Sequence, residues 1–122
     1  MTVNEVIKLA DEERPNDLSA AYKFGRIDRI EAEIAEMYGR YVMPEDLPEY
    51  TGIDETRGDA ALLAPRGYTD VYKWWLLLGY DLASADTVRA SNDSAMFNAE
   101  WARLAAWCAR EHRARGPKNF II

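Results

Sequence analysis

Of the residue types that carry most enzymatic chemistry, this chain offers one cysteine, Cys108, and one histidine, His112, four positions apart. Residues i and i+4 share a helix face, so a thiol–imidazole contact is geometrically available and could pair a nucleophile with its base. The surroundings argue against it. Cys108 falls on an apolar stripe with Phe97, Trp101 and Leu104, where a thiol behaves as a small, inert hydrophobe. His112 lies among Arg110, Arg113 and Arg115, at the solvated end of the same segment. As metal ligands the two are too few, since a tetrahedral zinc site takes three or four from protein. A lone cysteine also excludes an intramolecular disulfide and fits a reducing compartment.

The remaining chemistry-bearing groups are carboxylates. Glu45, Asp46, Glu49, Asp54, Glu55 and Asp59 crowd one stretch and face only Arg57 in opposition. They lack the alternating Asp/Asn register, central glycine and closing glutamate of a calcium loop, so a solvated acidic loop is expected. Gly52, Gly58 and Gly67 match neither a dinucleotide fingerprint nor a phosphate loop, and no β-α-β alternation surrounds them. The tryptophans and tyrosines fall mostly on core stripes and are not interleaved with bases as a stacking platform. The expectation is a non-enzymatic protein with no cofactor or metal.

These groups sit on a pattern that reads as mainly α: a small bundle of about four helices with a protruding irregular loop or short hairpin between the second and third. Thr2 and Glu5 form a capping-box pattern ahead of Val3, Val6, Ile7 and Ala10, and Pro15 closes that helix. Ser19 or Asp17 caps a second helix, with Ile27, Ile30, Ile34, Met37 and Tyr41 on one stripe and Gly39 as its stop. Through residues 41–68, three prolines and three glycines break every helical period, and Val42–Met43 and Leu62–Leu63 are candidate extended pieces at the base of the loop. A third helix is expected from Thr69 or Asp70 to Ala83, with Val71, Trp75, Leu78 and Leu82 inward and Tyr72, Trp74 and Leu77 widening the stripe. So wide an apolar surface implies burial on more than one side. A fourth runs from about Asp86 to Ala114, stopped by Gly116 and Pro117, with Met96 and Trp107 beside its inward stripe. Ser91, Asn92, Asp93 and Ser94 are weak helix formers and mark a candidate break. If Trp101 is buried, its replacement by alanine should cost about 3–5 kcal/mol.

At 122 residues the chain should form one domain, here 1–115, with a tail over 116–122. The net charge of −6 is unevenly spread: residues 1–59 carry 15 acids and 7 bases, residues 60–122 carry 6 and 8. An acidic body with a basic tail suggests contact between unlike surfaces of successive copies, or a tail aimed at an acidic partner; a solvated surface is the bland alternative. The N-terminal residues do not have the basic start and apolar run of a secretory signal, and no apolar stretch approaches a membrane span, so no membrane association is expected.

The order of features resembles the small head-to-tail connector, or adaptor, proteins of tailed bacteriophages and prophages. The likeness lies in Val3-Asn4-Glu5-Val6-Ile7 through Arg14-Pro15-Asn16, then Ile27-Asp28-Arg29-Ile30-Glu31. It continues in Leu62-Leu63-Ala64-Pro65 to Tyr68-Thr69-Asp70-Val71-Tyr72, and in Tyr80-Asp81-Leu82-Ala83. It is clearest in Asn92 through Trp101 and in Trp107 to Arg110. The chain departs from the pattern at Trp74-Trp75, where tyrosines are commoner, and at Arg66-Gly67, where prolines are expected.

The resemblance implies a structural virion protein. It would form a ring of about twelve copies under the portal, through one heterologous interface that closes on itself, and accept the next head-completion or tail protein. It would assemble in the host bacterial cytoplasm and reside in the virion neck, meeting DNA only as a passing occupant of the lumen. The partner contacts would then fall on Glu45, Asp46, Glu49, Asp54, Glu55 and Asp59 of the loop, and on Arg110, Arg113, Arg115, Lys118, Phe120, Ile121 and Ile122 at the other end. The alternative is a small helical regulatory or nucleic-acid-binding module whose basic tail reads phosphates, which salt-sensitive DNA binding would favour.

Overall fold

The computed structural model describes residues 1–41 and 50–112. Its helices are α1 (Val3–Glu13), α2 (Ala20–Tyr38), α3 (Asp70–Ala83) and α4 (Thr87–His112), with a 3-10 turn at Glu55–Arg57. There is no strand among the described residues, only an isolated antiparallel bridge between Thr2 and Ala61. The protein is a small, mainly α bundle, as the periodicity predicts.

The capping box at α1 is formed: the Glu5 amide donates to Thr2 Oγ1 at 3.2 Å and the Thr2 amide to Glu5 Oε1 at 3.1 Å. Proline at position 15 forces Arg14 out of the α region, and α1 stops. Ser19, not Asp17, caps α2, accepting from the Tyr22 amide at 3.1 Å. Gly39 ends α2, its amide still donating to Ala35.

The central element is α3, which packs against each of the other three helices. This position corrects the expected stripe. A helix approached from three directions buries most of its circumference, here Val71, Tyr72, Leu76, Leu77, Gly79, Tyr80 and Asp81. Trp75 and Leu78 are only half-buried, and Leu82 is 58% exposed. Leu76 and Tyr80 take the inward places instead. Gly79 allows the close approach of α2: a Cβ there would sit 2.8 Å from the Tyr22 hydroxyl and 2.5 Å from Arg26 Nε.

Three residues turn α3 into α4, making an antiparallel helical hairpin. Ser84 ends α3, Ala85 is left-handed at φ 59°, and the Asp86 amide returns to the Asp81 carbonyl at 2.9 Å. Glycine normally takes that left-handed position, because a Cβ there is strained. Ala85→Gly should therefore raise stability by about 0.5–1 kcal/mol, read as a higher thermal midpoint. Asp86 then caps α4 by accepting from the Arg89 amide at 3.0 Å.

The candidate break at Ser91–Ser94 does not occur. α4 runs straight through it, since Asp93 is fully buried and held in the interior by Arg14, the residue that ends α1. Leu104 and Cys108 are fully buried as expected, Phe97, Trp101 and Trp107 are half-buried, and Met96 is exposed. The expected helix end at Ala114 lies outside the described residues.

Between α2 and α3, the described half of the connection lies down on the bundle. Ile53, Ala60, Leu62 and Leu63 pack against the core. Val42–Met43, the candidate partner of Leu62–Leu63, is outside the described residues. The partner that residues 58–62 do find is the N-terminus: the amides of Val3, Asn4 and Leu62 donate to the carbonyls of Ala60, Gly58 and Met1 at 3.2, 2.9 and 3.1 Å. These bonds satisfy backbone groups that burial would otherwise leave unpaired.

Candidate functional site

Three features stand out once the helices are in place: a buried ion cluster, a buried carboxylate that holds the loop, and an open aromatic groove. The ion cluster joins α1, α3 and α4. The Arg14 guanidinium donates to Asp81 and, at 3.0 Å, to Asp93. Both carboxylates are shielded from solvent, and Asp93 Oδ1 has no hydrogen-bond partner. Burial, with the neighbouring Asp81 carboxylate, pushes Asp93 up to about 6, against the opposing pull of Arg14. Beside it, burial tends to raise Asp11, but hydrogen bonds from Lys23, Tyr80 and Asn16 win and hold it below the usual carboxylate range. Two adjacent buried carboxylates could in principle share or move a proton. Here a salt-bridged arginine covers both, so the arrangement pins helices together.

Glu31 on α2 is the second feature, 1% exposed. It accepts from the Tyr72 hydroxyl and, at 2.9 Å, from the Leu63 amide, while Tyr72 itself accepts from the Ala64 amide at 2.9 Å. Tyr38 adds a bond to the Leu63 carbonyl at 2.7 Å. Burial raises the Glu31 affinity for its proton, and the bonds from Tyr72 and Leu63 oppose that rise. Together these groups fasten the loop onto α2 and α3.

The third feature is a groove between α2 and α4, about 390 Å³ in volume. α2 runs antiparallel to α3 and so parallel to α4, and the two flank α3 without meeting along this length. Ile30, Trp75, Phe97 and Trp101 form the floor and walls, with Arg29, Glu33 and Asn98 at the rim. Trp75 and Phe97 rings stand 5.2 Å apart and Phe97 and Trp101 6.0 Å apart, within the range of favourable aromatic pairs. Trp75 is locked in place: Arg26 lies 3.8 Å from its ring centroid, and its indole N–H donates to the Arg26 carbonyl at 2.9 Å. Farther along both helices Tyr38 of α2 meets Trp107 of α4, 6.4 Å between centroids. The volume is within the range of about 300–1,000 Å³ that receives bound groups.

This placement revises the expectation for Trp101. It walls an open groove and is only half-buried, so Trp101→Ala should cost about 1.5–3 kcal/mol, nearer half the price of a fully buried indole. Thermal unfolding of that variant beside Leu104→Ala, a fully buried position, would show Leu104→Ala to be at least as damaging.

The contact residues expected from sequence divide. Asp54, Glu55 and Asp59 are exposed around the 3-10 turn, where Asp54 is occupied in capping, accepting from the Thr56 amide at 2.9 Å. Arg110 is exposed and reaches the Tyr68 hydroxyl at 3.4 Å, not the acidic turn. Glu45, Asp46 and Glu49, and likewise Arg113, Arg115, Lys118, Phe120, Ile121 and Ile122, lie outside the described residues. Cys108 is fully buried and its thiol is pushed up to about 11 by that burial. Among the described residues no group of three or more His, Cys, Asp or Glu side chains could hold a metal ion, and no helix is long and apolar enough to cross a membrane. Sequence reading missed the groove because it placed Phe97 and Trp101 on an inward stripe; the excess apolar width of α3, read as burial by the core or by a neighbouring subunit, was the available signal. No family model, no curated protein and no solved structure matches the chain.

Proposed function

We propose that this protein is a head-to-tail connector of a tailed bacteriophage or prophage, a structural ring component seated under the portal. The observation that carries the reading is apolar surface left uncovered on α3 and α4. The groove is lined by Trp75, Phe97 and Trp101, and Leu82 and Met96 are 58% and 38% exposed. Exposed apolar surface of this kind marks a place where another protein sits. The chain-wide resemblance and the contrast between an acidic first half and a basic end support the same assignment. In this role the protein joins about twelve copies of itself, the portal above and the next head-completion or tail protein below, and needs no cofactor. It assembles in the host bacterial cytoplasm and ends in the virion neck, with DNA passing through the ring.

Light scattering coupled to size exclusion tests this, on the purified chain alone and mixed with its candidate portal. The expected result is a ring, or a monomer that joins the portal in stoichiometric amounts. A monomer or dimer indifferent to the portal would sink the connector reading. Salt-sensitive DNA binding in that preparation would favour a nucleic-acid-binding module instead.

A further inference from the structure

We propose that the α2–α4 groove receives residues 118–122 of a second copy of this chain, so that each subunit gives a tail to one neighbour and takes one from the other. The groove is apolar on its floor, and the segment that follows α4 brings Phe120, Ile121 and Ile122 together. Charge agrees with the match. Residues 113–122 contain Arg113, Arg115 and Lys118 and no acid, while the rim carries Glu33, which makes no ion pair among the described residues. Glu36 follows one turn along the same helix, 69% exposed and only loosely paired with Arg40 at 3.8 Å. Arg29 is the single base on the lining.

Geometry selects the neighbour over the chain's own tail. α4 continues eleven residues past Trp101, about 16 Å of helix, and passes Trp107, which meets Tyr38 of α2. To reach the groove beside Trp101, the chain's own tail would have to reverse direction and retrace that length past the Tyr38–Trp107 contact. The tail of an adjacent copy has no such reversal to make. A contact with one donor and one acceptor surface per subunit is heterologous, and it closes into a ring when the rotation between copies permits. This deepens the connector reading and rests on it for the ring alone.

The test uses two full-length variants. Phe120→Asp spoils the tail and leaves the groove; Asn98→Arg, at an exposed rim position, blocks the groove by bulk and charge and leaves the tail. Circular dichroism should show both folded like the parent. In sedimentation velocity the parent chain should assemble as concentration rises, each variant alone should stay monomeric, and an equimolar mixture should stop at a one-to-one pair. The synthetic peptide of residues 113–122 contains no tryptophan, so it can be titrated against the indole emission of the Phe120→Asp protein, to which Trp75 and Trp101 of the groove contribute beside Trp74 and Trp107. That response should be at least tenfold weaker in the Asn98→Arg protein.

Parent-like assembly by either variant alone would overturn the proposal, as would failure of the mixture to pair or a peptide response that Asn98→Arg leaves unchanged. A groove-dependent peptide response with no assembly of the parent at any concentration would place the tail in its own groove and overturn the assignment to a second copy. Assembly that follows these rules but stops short of a ring, with no portal binding, would reject the connector reading and leave the tail-in-groove contact standing.

Discussion

Replacing Tyr72 with alanine should lower stability by about 4–5 kcal/mol, enough to unfold much of a marginal domain at physiological temperature. Tyr72 is fully buried in the central helix, so its removal leaves a large cavity where collapse is resisted from three sides. Its hydroxyl is also the junction between the Glu31 carboxylate and the Ala64 amide. Without it, a buried carboxylate loses one of its two donors, and a buried amide loses its acceptor. Tyr72→Phe separates the two contributions. It keeps the ring volume and should cost about 1–3 kcal/mol, with faster amide exchange at Leu63 and Ala64 as its local sign. If urea titration gave the two variants equal midpoints, the ring would be contributing nothing and this account of the core would be wrong.

How far the sequence could have led to that residue is instructive. The helix ends were legible, because caps and breakers act locally: Thr2 with Glu5, Arg14 before Pro15, Ser19 and Gly39 each satisfy or block a backbone group within four residues. What periodicity could not supply was the phase of α3. A helix wrapped by three neighbours has no single apolar face to read, so Tyr72 passed as a flank residue and Leu82 as core.

The polar core was legible in principle. Glu31 falls in step with Ile27 and Ile34, Asp81 lies four residues after Leu77, and Asp93 four residues before Phe97. An ionisable group in phase with an apolar stripe is either a mistaken stripe or a buried group with partners elsewhere in the chain. The partners, at separations of 32 to 79 residues, are matters of tertiary arrangement that no local pattern encodes. The groove was hidden for a related reason: half-buried aromatics at helical spacing look the same whether they fill a core or wall a cleft.

Arg14→Met should cost about 3–5 kcal/mol at neutral pH, and the loss should shrink as the solution is made acidic. Methionine keeps much of the aliphatic bulk, so the missing quantity is charge. Asp81 and Asp93 would remain side by side in the interior with their shared counter-charge gone. The sign of the pH effect follows from proton binding. Asp93 is already raised to about 6 in the fold, against roughly 3.9 for an unfolded aspartate. Between those values the native state holds more protons than the unfolded one, so this group makes stability fall as pH rises through the window.

Removing Arg14 takes away a group that favours the ionised form, which moves Asp93 still higher and steepens the fall. Glu31, also raised, and Asp11, held low, contribute to the pH profile of both proteins and largely cancel from their difference. Thermal midpoints of parent and variant at pH 5 and pH 7 decide the matter: the gap between them should be clearly smaller at pH 5. Adding Asp93→Asn to Arg14→Met should recover more than half of the loss at pH 7, since one uncompensated charge is then gone. A gap independent of pH, or a double variant no better than the single, would mean that Arg14 acts by packing its stem between α1 and α4, and that the buried charges are balanced in some other way.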